Sequence, residues 1–161
     1  MEIYLLRHGV AESARAGMKD SDRALTEEGR EKLARVLRRA HGAGVEPDLI
    51  LSSPYRRAME TAEQAAHALG YEGKIVPTPA LVPGGSPFDV WEEIRKRPSE
   101  GSILLASHEP LMSSLLAFLL GNPAMLVDMK KAGLARVDCD SLGPEPQATL
   151  KWLITPATAG E

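Results

Sequence analysis

Four short strand-like runs, each followed by turn residues and then by a helical pattern, set the fold of this 161-residue chain. The runs are Ile3–Leu6, Pro47–Leu51, Lys74–Pro77 and Ile103–Ala106. The first and the last are almost purely apolar, which is typical of strands buried on both faces of a parallel sheet. Strands that alternate with helices predict an α/β domain with helices on both faces of the sheet.

Between these strands apolar residues recur at helical spacing, and two further strand patterns close the chain. Helices are predicted from Thr26 to Gly42, from Pro54 to Leu69, from Ser86 or Asp89 to Arg97, and from Pro110 to Leu120, with a short one near 124–130. Alternating residues at 135–140 and 149–154 predict a hairpin at the sheet edge. The predicted fold is a three-layer α/β/α sandwich with a mostly parallel central sheet and an antiparallel edge hairpin near the C-terminus.

Length and composition favour one domain, residues 1–161, whose tail at 156–161 is expected to fray. The net charge of −3 gives no overall attraction to nucleic acid or to an anionic membrane, so any basic site must be local. No apolar stretch approaches the roughly 20 residues of a membrane span. The single Cys139 excludes an intrachain disulfide, which fits a reducing cytosol. We expect a cytoplasmic protein without nucleic-acid or membrane partners, with a monomer favoured.

Chemically active side chains directly follow three of the strands. Arg7–Gly9 follow the first strand, Ser53 and the pair Arg56–Arg57 follow the second, and Ser107–His108 follow the fourth. Because the carboxyl ends of parallel strands meet at one edge of a sheet, these residues are expected to converge. The two arginines lie in the first turn of a helix, which favours acids for stability but binds anions as ligands.

Two imidazoles and two or three guanidinium groups at one sheet edge describe a pocket for a dianion with a nucleophile inside it. The loop at 10–24 beside it adds Asp22 and Arg23 as candidates, because functional residues often lie in such loops. The histidines lack the partner spacing of a standard zinc site, and the chain has no phosphate-binding glycine loop of the Walker type. We therefore expect neither a metal nor a cofactor.

Four motifs together resemble those of the histidine phosphatase superfamily, and within it those of the short SixA-type phosphohistidine phosphatases. They are LLRHG at the N-terminus, LTEEG after the first loop, SSPYRRAMETA after the second strand and SHEP after the fourth strand. They span residues 3–112, about two-thirds of the chain, and their order is highly specific.

The resemblance implies a role for each matching position. His8 corresponds to the nucleophile that becomes phosphorylated, and Arg7 and Arg57 correspond to the two phosphate clamps. His108 corresponds to the second histidine, which contacts the phosphoryl group. Arg23 matches an arginine of the SixA group that faces the pocket. The implied enzyme is a metal-independent phosphatase that acts on a phosphorylated protein or a small phosphorylated substrate.

Gly9, Ser53 and Glu109 lie beside these positions and are expected to contribute to substrate binding. Larger family members that cleave phosphate esters carry a carboxylate general acid, commonly in a long insertion after the second arginine. Here only about fifty residues separate Arg57 from His108, so that insertion is nearly absent. Glu12 and Glu109 are the acids that remain as candidates.

A leaving imidazole needs less protonation than a leaving alkoxide, so the missing insertion favours phosphohistidine as the substrate. The leading hypothesis is a phosphohistidine phosphatase that acts on a phosphorelay or phosphotransfer protein. Two alternatives stay open at this point. One is a small-molecule phosphomonoesterase for sugar, nucleotide or other metabolite phosphates, and the other is a non-catalytic phosphate- or phosphoprotein-binding module.

Overall fold

A computed structural model describes residues 1–160 and contains one six-stranded sheet and four α-helices. The strands are β1 (Glu2–Arg7), β2 (Leu49–Ser52), β3 (Ile75–Pro77), β4 (Ser102–Ser107), β5 (Leu134–Cys139) and β6 (Ala148–Ile154). The helices are α1 (Glu27–Gly42), α2 (Arg56–Ala68), α3 (Pro87–Arg95) and α4 (Leu111–Leu119). Short 3₁₀ turns lie at Asp20–Asp22 and Pro79–Leu81.

The strand order is β3-β2-β4-β1-β5-β6, with the first four strands parallel and the last two forming an antiparallel hairpin on β1. Arg7 is in register with Ser107, so β1 and β4 end side by side. Ser52 of β2 is in register with Ala106 of β4. The three chemically active strand ends therefore share one edge of the sheet, as the sequence predicts.

The central strands are apolar throughout because their alternate side chains enter two separate cores. Leu5 and Leu105 pack with α3 and α4 on one face, around Trp91. Leu6 and Leu104 pack with α1 and α2 on the other face. These side chains are fully buried, so each contributes about 1.5–3 kcal/mol relative to an exposed position. The three-layer α/β/α prediction and the edge hairpin are both confirmed.

Two predicted helix boundaries and one predicted helix are among the differences from the structure. Helix α2 begins at Arg56 and not at Pro54, because Tyr55 has extended backbone angles and serves as the N-cap residue. Helix α3 ends at Arg95, two residues early. The short helix predicted near 124–130 is wrong, since this segment lacks helical structure beyond a turn. Its Met129 carbonyl accepts a hydrogen bond from the Arg7 side chain, so it is committed to a tertiary contact.

The segment after β6, which the sequence analysis expects to fray, contains a hydrogen-bonded turn. The amides of Thr158 and Ala159 donate to the carbonyl of Thr155, and Ala159 packs against the core under α1. Glu161 lies outside the described residues. In the span 1–160, none of the helices combines the length and the apolar character needed to cross a bilayer.

Candidate active site

The backbone of His8 is held from both sides where β1 leaves the sheet. Its amide donates to the carbonyl of Ser107 at 2.9 Å, and its carbonyl accepts from the amide of Ala132 at 3.1 Å. Gly9 then turns the chain against α1, and its amide donates to the hydroxyl of Thr61 at 3.3 Å. A Cβ at Gly29 would lie 2.2 Å from the Val10 carbonyl oxygen, so the loop requires glycine at this position of α1.

The hydrogen bonds of His8 fix its tautomer. Its Nδ1 lies 2.7 Å from the Gly9 carbonyl oxygen, which can only accept, so Nδ1 carries the proton. Nε2 then holds the lone pair, and Nε of Arg57 donates to it at 3.4 Å. Only 7% of the residue's surface is exposed. The ring is oriented with its nucleophilic nitrogen beside a guanidinium group.

The surroundings of His8 also fix its charge. Burial lowers the pKa of this imidazole to about 4, and the charges of Arg57, Arg7 and Lys131 act in the same direction. The hydrogen bond to Gly9 opposes the shift without reversing it. His8 is therefore neutral at neutral pH, as a nucleophile must be.

Arg57 is buried in the first turn of α2, with 4% of its surface exposed. Besides its contact with His8, it donates from Nη1 to the backbone carbonyl of Asp20 at 2.8 Å and from Nη2 to the Asp20 carboxylate at 3.1 Å. Its guanidinium carbon lies 5.2 Å from the ring centroid of Tyr55. A cation with this many contacts is held in one orientation.

Arg56, the neighbouring arginine, points elsewhere. Its side chain is 57% exposed and its Nε lies 3.6 Å from the carboxylate of Glu60, on the outer surface of α2. The same carboxylate accepts from Arg30 of α1. The structure thus separates the pair as the motif implies: Arg57 reaches the histidine, and Arg56 joins a surface ion-pair network.

His108 follows β4 and is 1% exposed. Its Nε2 lies 2.8 Å from the hydroxyl of Ser53, which also accepts from the amide of Tyr55 at 3.2 Å. The rings of His8 and His108 meet edge to face with centroids 5.1 Å apart. The other ring nitrogen, Nδ1, is buried and has no hydrogen-bond partner among residues 1–160. An unsatisfied buried group costs about 1–3 kcal/mol, so a hydrogen-bonding partner at this nitrogen would be stabilising.

Burial lowers the pKa of His108 to about 3, and the neighbouring His8 and Arg57 lower it further, against the opposing charge of Asp20. The free protein thus has two neutral imidazoles in contact. The ring of Tyr55 packs edge to face on His108 at 5.2 Å and covers its outer side.

Arg7 is half-buried at the end of β1. Its Nη1 donates to the carbonyl of Met129 at 2.7 Å, while its Nε is buried with no partner among the described residues. Burial lowers the pKa of this guanidinium from its ordinary value, but an arginine stays cationic at any physiological pH. One N–H of Arg7 is therefore available to an anion.

Asp20 is the site residue that sequence reasoning missed. It lies in the 3₁₀ turn next to Asp22, the acid that the sequence analysis selected, but Asp20 is the one that contacts Arg57. It also accepts from Nε of Arg23 at 2.9 Å. Burial raises the pKa of this carboxyl group, but the hydrogen bonds and charges of Arg57 and Arg23 together outweigh it and lower the pKa. Nothing in the loop sequence distinguishes the two acids, because loop geometry decides which one faces α2.

Arg23 reaches the site through Asp20 and also donates from Nη1 to the Glu12 carbonyl at 3.0 Å. The two candidate general acids are both engaged by backbone amides. The Glu12 carboxylate accepts from Ala24 at 3.1 Å, and the Glu109 carboxylate accepts from Ser113 in the first turn of α4 at 2.7 Å. Each acid thus has a structural use as a loop tie or a helix cap, and its predicted catalytic role stays a prediction.

No group of three or more His, Cys, Asp or Glu side chains within residues 1–160 is arranged to hold a metal ion. The polar groups that do converge are His8, Arg57, His108 and Ser53, with Arg7 beside them. This sheet edge, with one neutral histidine oriented by a carbonyl and adjoined by a buried arginine, defines the class of phosphatases that use a histidine nucleophile.

Comparison with known proteins agrees with that class. A model of the histidine phosphatase superfamily (branch 1) matches residues 3–82. Phosphohistidine phosphatase SixA of Escherichia coli is 30% identical over 160 residues, covering 97% of this chain and 94% of SixA. An uncharacterized protein of Picosynechococcus is 33% identical over 138 residues, covering 83% of this chain and 82% of its own. This chain belongs to the histidine phosphatase superfamily.

The structural comparison extends over the whole domain. The protein histidine phosphatase SixA in complex with tungstate matches with a TM-score of 0.85 and 28% sequence identity, over 98% of both chains. SixA from Agrobacterium tumefaciens matches with a TM-score of 0.83 and 26% identity, over 96% of this chain and 97% of that one. The C-terminal half, which lies beyond the matched family segment, therefore has the same fold.

Proposed function

We propose that this protein is a cytoplasmic phosphohistidine phosphatase that removes the phosphoryl group from a phosphorelay or phosphotransfer protein. The observation that carries the proposal is the geometry of His8: Nδ1 donates to the Gly9 carbonyl, and the neutral ring keeps its lone pair on Nε2, next to Arg57. The match to SixA over nearly the full length of both chains supports the substrate class. The chain has a single cysteine, the buried Cys139, and so cannot form an intrachain disulfide, which fits a reducing compartment; a monomer is the proposed state.

In the first chemical step, Nε2 of His8 attacks phosphorus in line with the leaving group. The new N–P bond forms as the substrate's own N–P bond breaks; the substrate ring reacts with its other nitrogen protonated, so the bonding electrons leave with a neutral imidazole. Because His8 keeps its Nδ1 proton, the phosphorylated ring becomes cationic. The Gly9 carbonyl, 2.7 Å away, stabilises that positive charge.

Arginines and His108 then balance the charge on the phosphoryl oxygens. Nε of Arg7 and Nδ1 of His108 are buried and unpartnered, so each is placed to gain a contact when an oxyanion enters. In the free protein Nε of Arg57 donates to the attacking nitrogen, so this N–H turns from the Nε2 lone pair to a phosphoryl oxygen when the substrate enters. The dianion also favours the protonated form of His108, which raises its pKa from the low value of the free protein.

In the second step, water attacks the phosphorus of the intermediate. The bond to Nε2 breaks, His8 returns to its neutral tautomer, inorganic phosphate leaves, and the water proton passes to the product or to solvent. Neither step requires a proton for an alkoxide leaving group. This suits a site in which the Glu12 and Glu109 carboxylates are committed to backbone amides and Asp20 is committed to two arginines.

A hydrolysis panel tests the proposal. The substrates are a histidine-phosphorylated phosphotransfer protein, p-nitrophenyl phosphate, a sugar phosphate, a nucleotide and phosphoserine, with His8→Ala as the control for contaminating activity. We expect hydrolysis of phosphohistidine and of p-nitrophenyl phosphate, which has a good leaving group, and slow hydrolysis of alkyl esters.

Efficient cleavage of an alkyl phosphate that collapses in Glu109→Gln or Glu12→Gln, by roughly 10²- to 10⁴-fold, would instead establish a metabolite phosphatase with a general acid. Phosphate binding without turnover of any substrate would establish the non-catalytic binding module.

A further inference from the structure

A groove of about 720 Å³ adjoins the candidate active site at Arg7. Its walls come from the end of β1, one face of α1, and the segments at 128–131 and 155–157. The cationic side chains that line it are Arg7, Lys32, Arg35, Lys130 and Lys131. Asp128 is the one carboxylate among its lining residues, so the groove is strongly basic.

This local charge is opposite in sign to that of the whole protein, which carries −3. Two of the lysines have carboxylate partners: Lys32 pairs with Glu28 at 2.8 Å, and Lys130 pairs with Asp128 at 2.9 Å. Arg35 and Lys131 form no ion pair in the described part of the chain. Unpaired cations facing one groove repel one another, and an acidic ligand removes that repulsion.

The groove lies next to the candidate active site and shares residues with it. Arg7 belongs both to the groove and to the strand end that carries His8. Lys131 is near enough for its charge to lower the pKa of His8, and the amide of the next residue, Ala132, binds the His8 carbonyl. A molecule seated in the groove therefore lies directly against the phosphoryl site.

The groove lining is apolar as well as basic, because it includes Val10, Pro156 and Ala157. Lys32 and Arg35 are three residues apart on α1 and so lie on the same helix face. A groove lined by both cationic and apolar residues matches a protein segment that combines acidic and aliphatic side chains. A phosphate or nucleic-acid backbone would leave the apolar residues without a partner.

We propose that this groove docks an acidic segment of the phosphorylated protein and so presents its phosphohistidine to His8. The inference rests on the proposed function, and it adds the kind of surface that the partner carries. Charge complementarity at such a groove mainly raises the association rate and the selectivity among partners. The groove therefore favours protein substrates that carry acidic residues near the phosphohistidine over substrates that do not.

Two synthetic phosphohistidine peptides of the same length test the proposal, one with glutamate and leucine around the phosphohistidine and one with serine and leucine. We expect kcat/KM at low ionic strength to be about 5- to 10-fold higher for the acidic peptide. High salt should remove most of this difference, because exposed charges are screened.

The variant Arg35→Glu/Lys130→Glu tests whether this groove is the docking site. We expect it to lose the preference for the acidic peptide while p-nitrophenyl phosphate is hydrolysed at the wild-type rate. The matched control Lys74→Glu/Lys96→Glu makes the same change in net charge at exposed positions outside the groove. It should keep the preference.

Equal kcat/KM for the two peptides in the wild type, or an equal loss of preference in both double variants, would overturn the groove proposal alone. Failure to hydrolyse either peptide, with p-nitrophenyl phosphate still cleaved, would overturn the phosphohistidine function and the partner class with it. Binding of a fluorescent single-stranded oligonucleotide that only the groove variant abolishes, without any peptide preference, would assign the groove to nucleic acid.

Discussion

Helices α1 and α2 pack side by side on the same face of the sheet, yet they begin in opposite ways. Helix α1 has Thr26 as its N-cap, whose hydroxyl accepts from the amide of Gly29 at 2.9 Å, and two glutamates in its first turn. Helix α2 begins after Tyr55 without a side-chain cap, has no acid in its first turn, and carries Arg56 and Arg57 there. The first start stabilises a helix, and the second does not.

The difference indicates that the N-terminus of α2, and not that of α1, is suited to bind an anion. Both helices present free amides and the positive end of a dipole. At α1 these are satisfied from within the protein. At α2 they point to the sheet edge where His8 and His108 meet, and a missing cap costs about 1 kcal/mol of stability. An incoming phosphoryl group can supply the negative charge that α2 lacks.

The largest expected effect comes from removing His8, the proposed nucleophile, which Arg57 contacts. We expect His8→Ala to reduce turnover by at least about 10⁴-fold while the thermal unfolding transition is retained, because His8 lies after β1 and outside both cores. Labelled substrate should place acid-labile phosphate on His8 in the wild type. Label on His108, together with an active His8→Ala variant, would reverse the assignment of the two histidines.

The next effect separates the two arginines of α2. Arg57→Ala removes a buried cation beside Nε2 of His8 and should lower kcat/KM by about one to two decades, equivalent to roughly 1.5–3 kcal/mol. Arg56→Ala removes an exposed partner of Glu60 and should change kcat/KM less than about 2-fold. Equal losses in the two variants would mean that both arginines bind substrate.

Much of this contrast could be read from the sequence, and the reason is physical. A short apolar run predicts a buried strand, and the polar residues directly after it must lie at the end of that strand. Because the strands are parallel, His8, His108 and Arg57 could be placed at one edge of the sheet. The sequence analysis names Asp22 and Arg23 in this loop but not Asp20, because a 3₁₀ turn has no periodicity that would show which side chain points inward. The predicted helix at 124–130 failed because local propensity was outweighed by tertiary contacts of this segment, among them the one between Arg7 and Met129.

A third experiment compares Thr26, which caps α1, with Ser53, which precedes α2 and contacts His108. Thr26→Ala should lower the free energy of unfolding by about 1 kcal/mol through loss of the α1 cap, with kcat/KM unchanged. Ser53→Ala should lower kcat/KM by about 5- to 10-fold, because the Ser53 hydroxyl binds both His108 and the Tyr55 amide. Chemical denaturation and steady-state kinetics on the same preparations distinguish the two losses. A larger activity loss in Thr26→Ala than in Ser53→Ala would contradict this division.

The smallest expected effect concerns His8 and His108, which we expect not to titrate near neutral pH. The pKa values of about 4 for His8 and about 3 for His108 predict that NMR signals of both rings stay in their neutral positions from pH 8 down to about 5. The unfolded chain takes up protons at these rings below pH 6.5 and the native protein does not. The free energy of unfolding should therefore fall as the pH drops from about 6.5 towards 4. A ring titrating near 6.5 in the native protein would show that the site is more open to water than its burial indicates.

The central position of β1 also determines when this enzyme becomes active during its own synthesis. β1 is translated first, but its two neighbours in the sheet, β4 and β5, end at Ser107 and Cys139. At a synthesis rate of roughly 5–20 residues per second, the neighbouring strands of β1 are completed on the order of ten seconds after β1 and His8. A nascent chain that ends before Ala132 has the nucleophile but lacks the amide that binds its carbonyl. The candidate site therefore requires the chain at least as far as Cys139 to have left the ribosome.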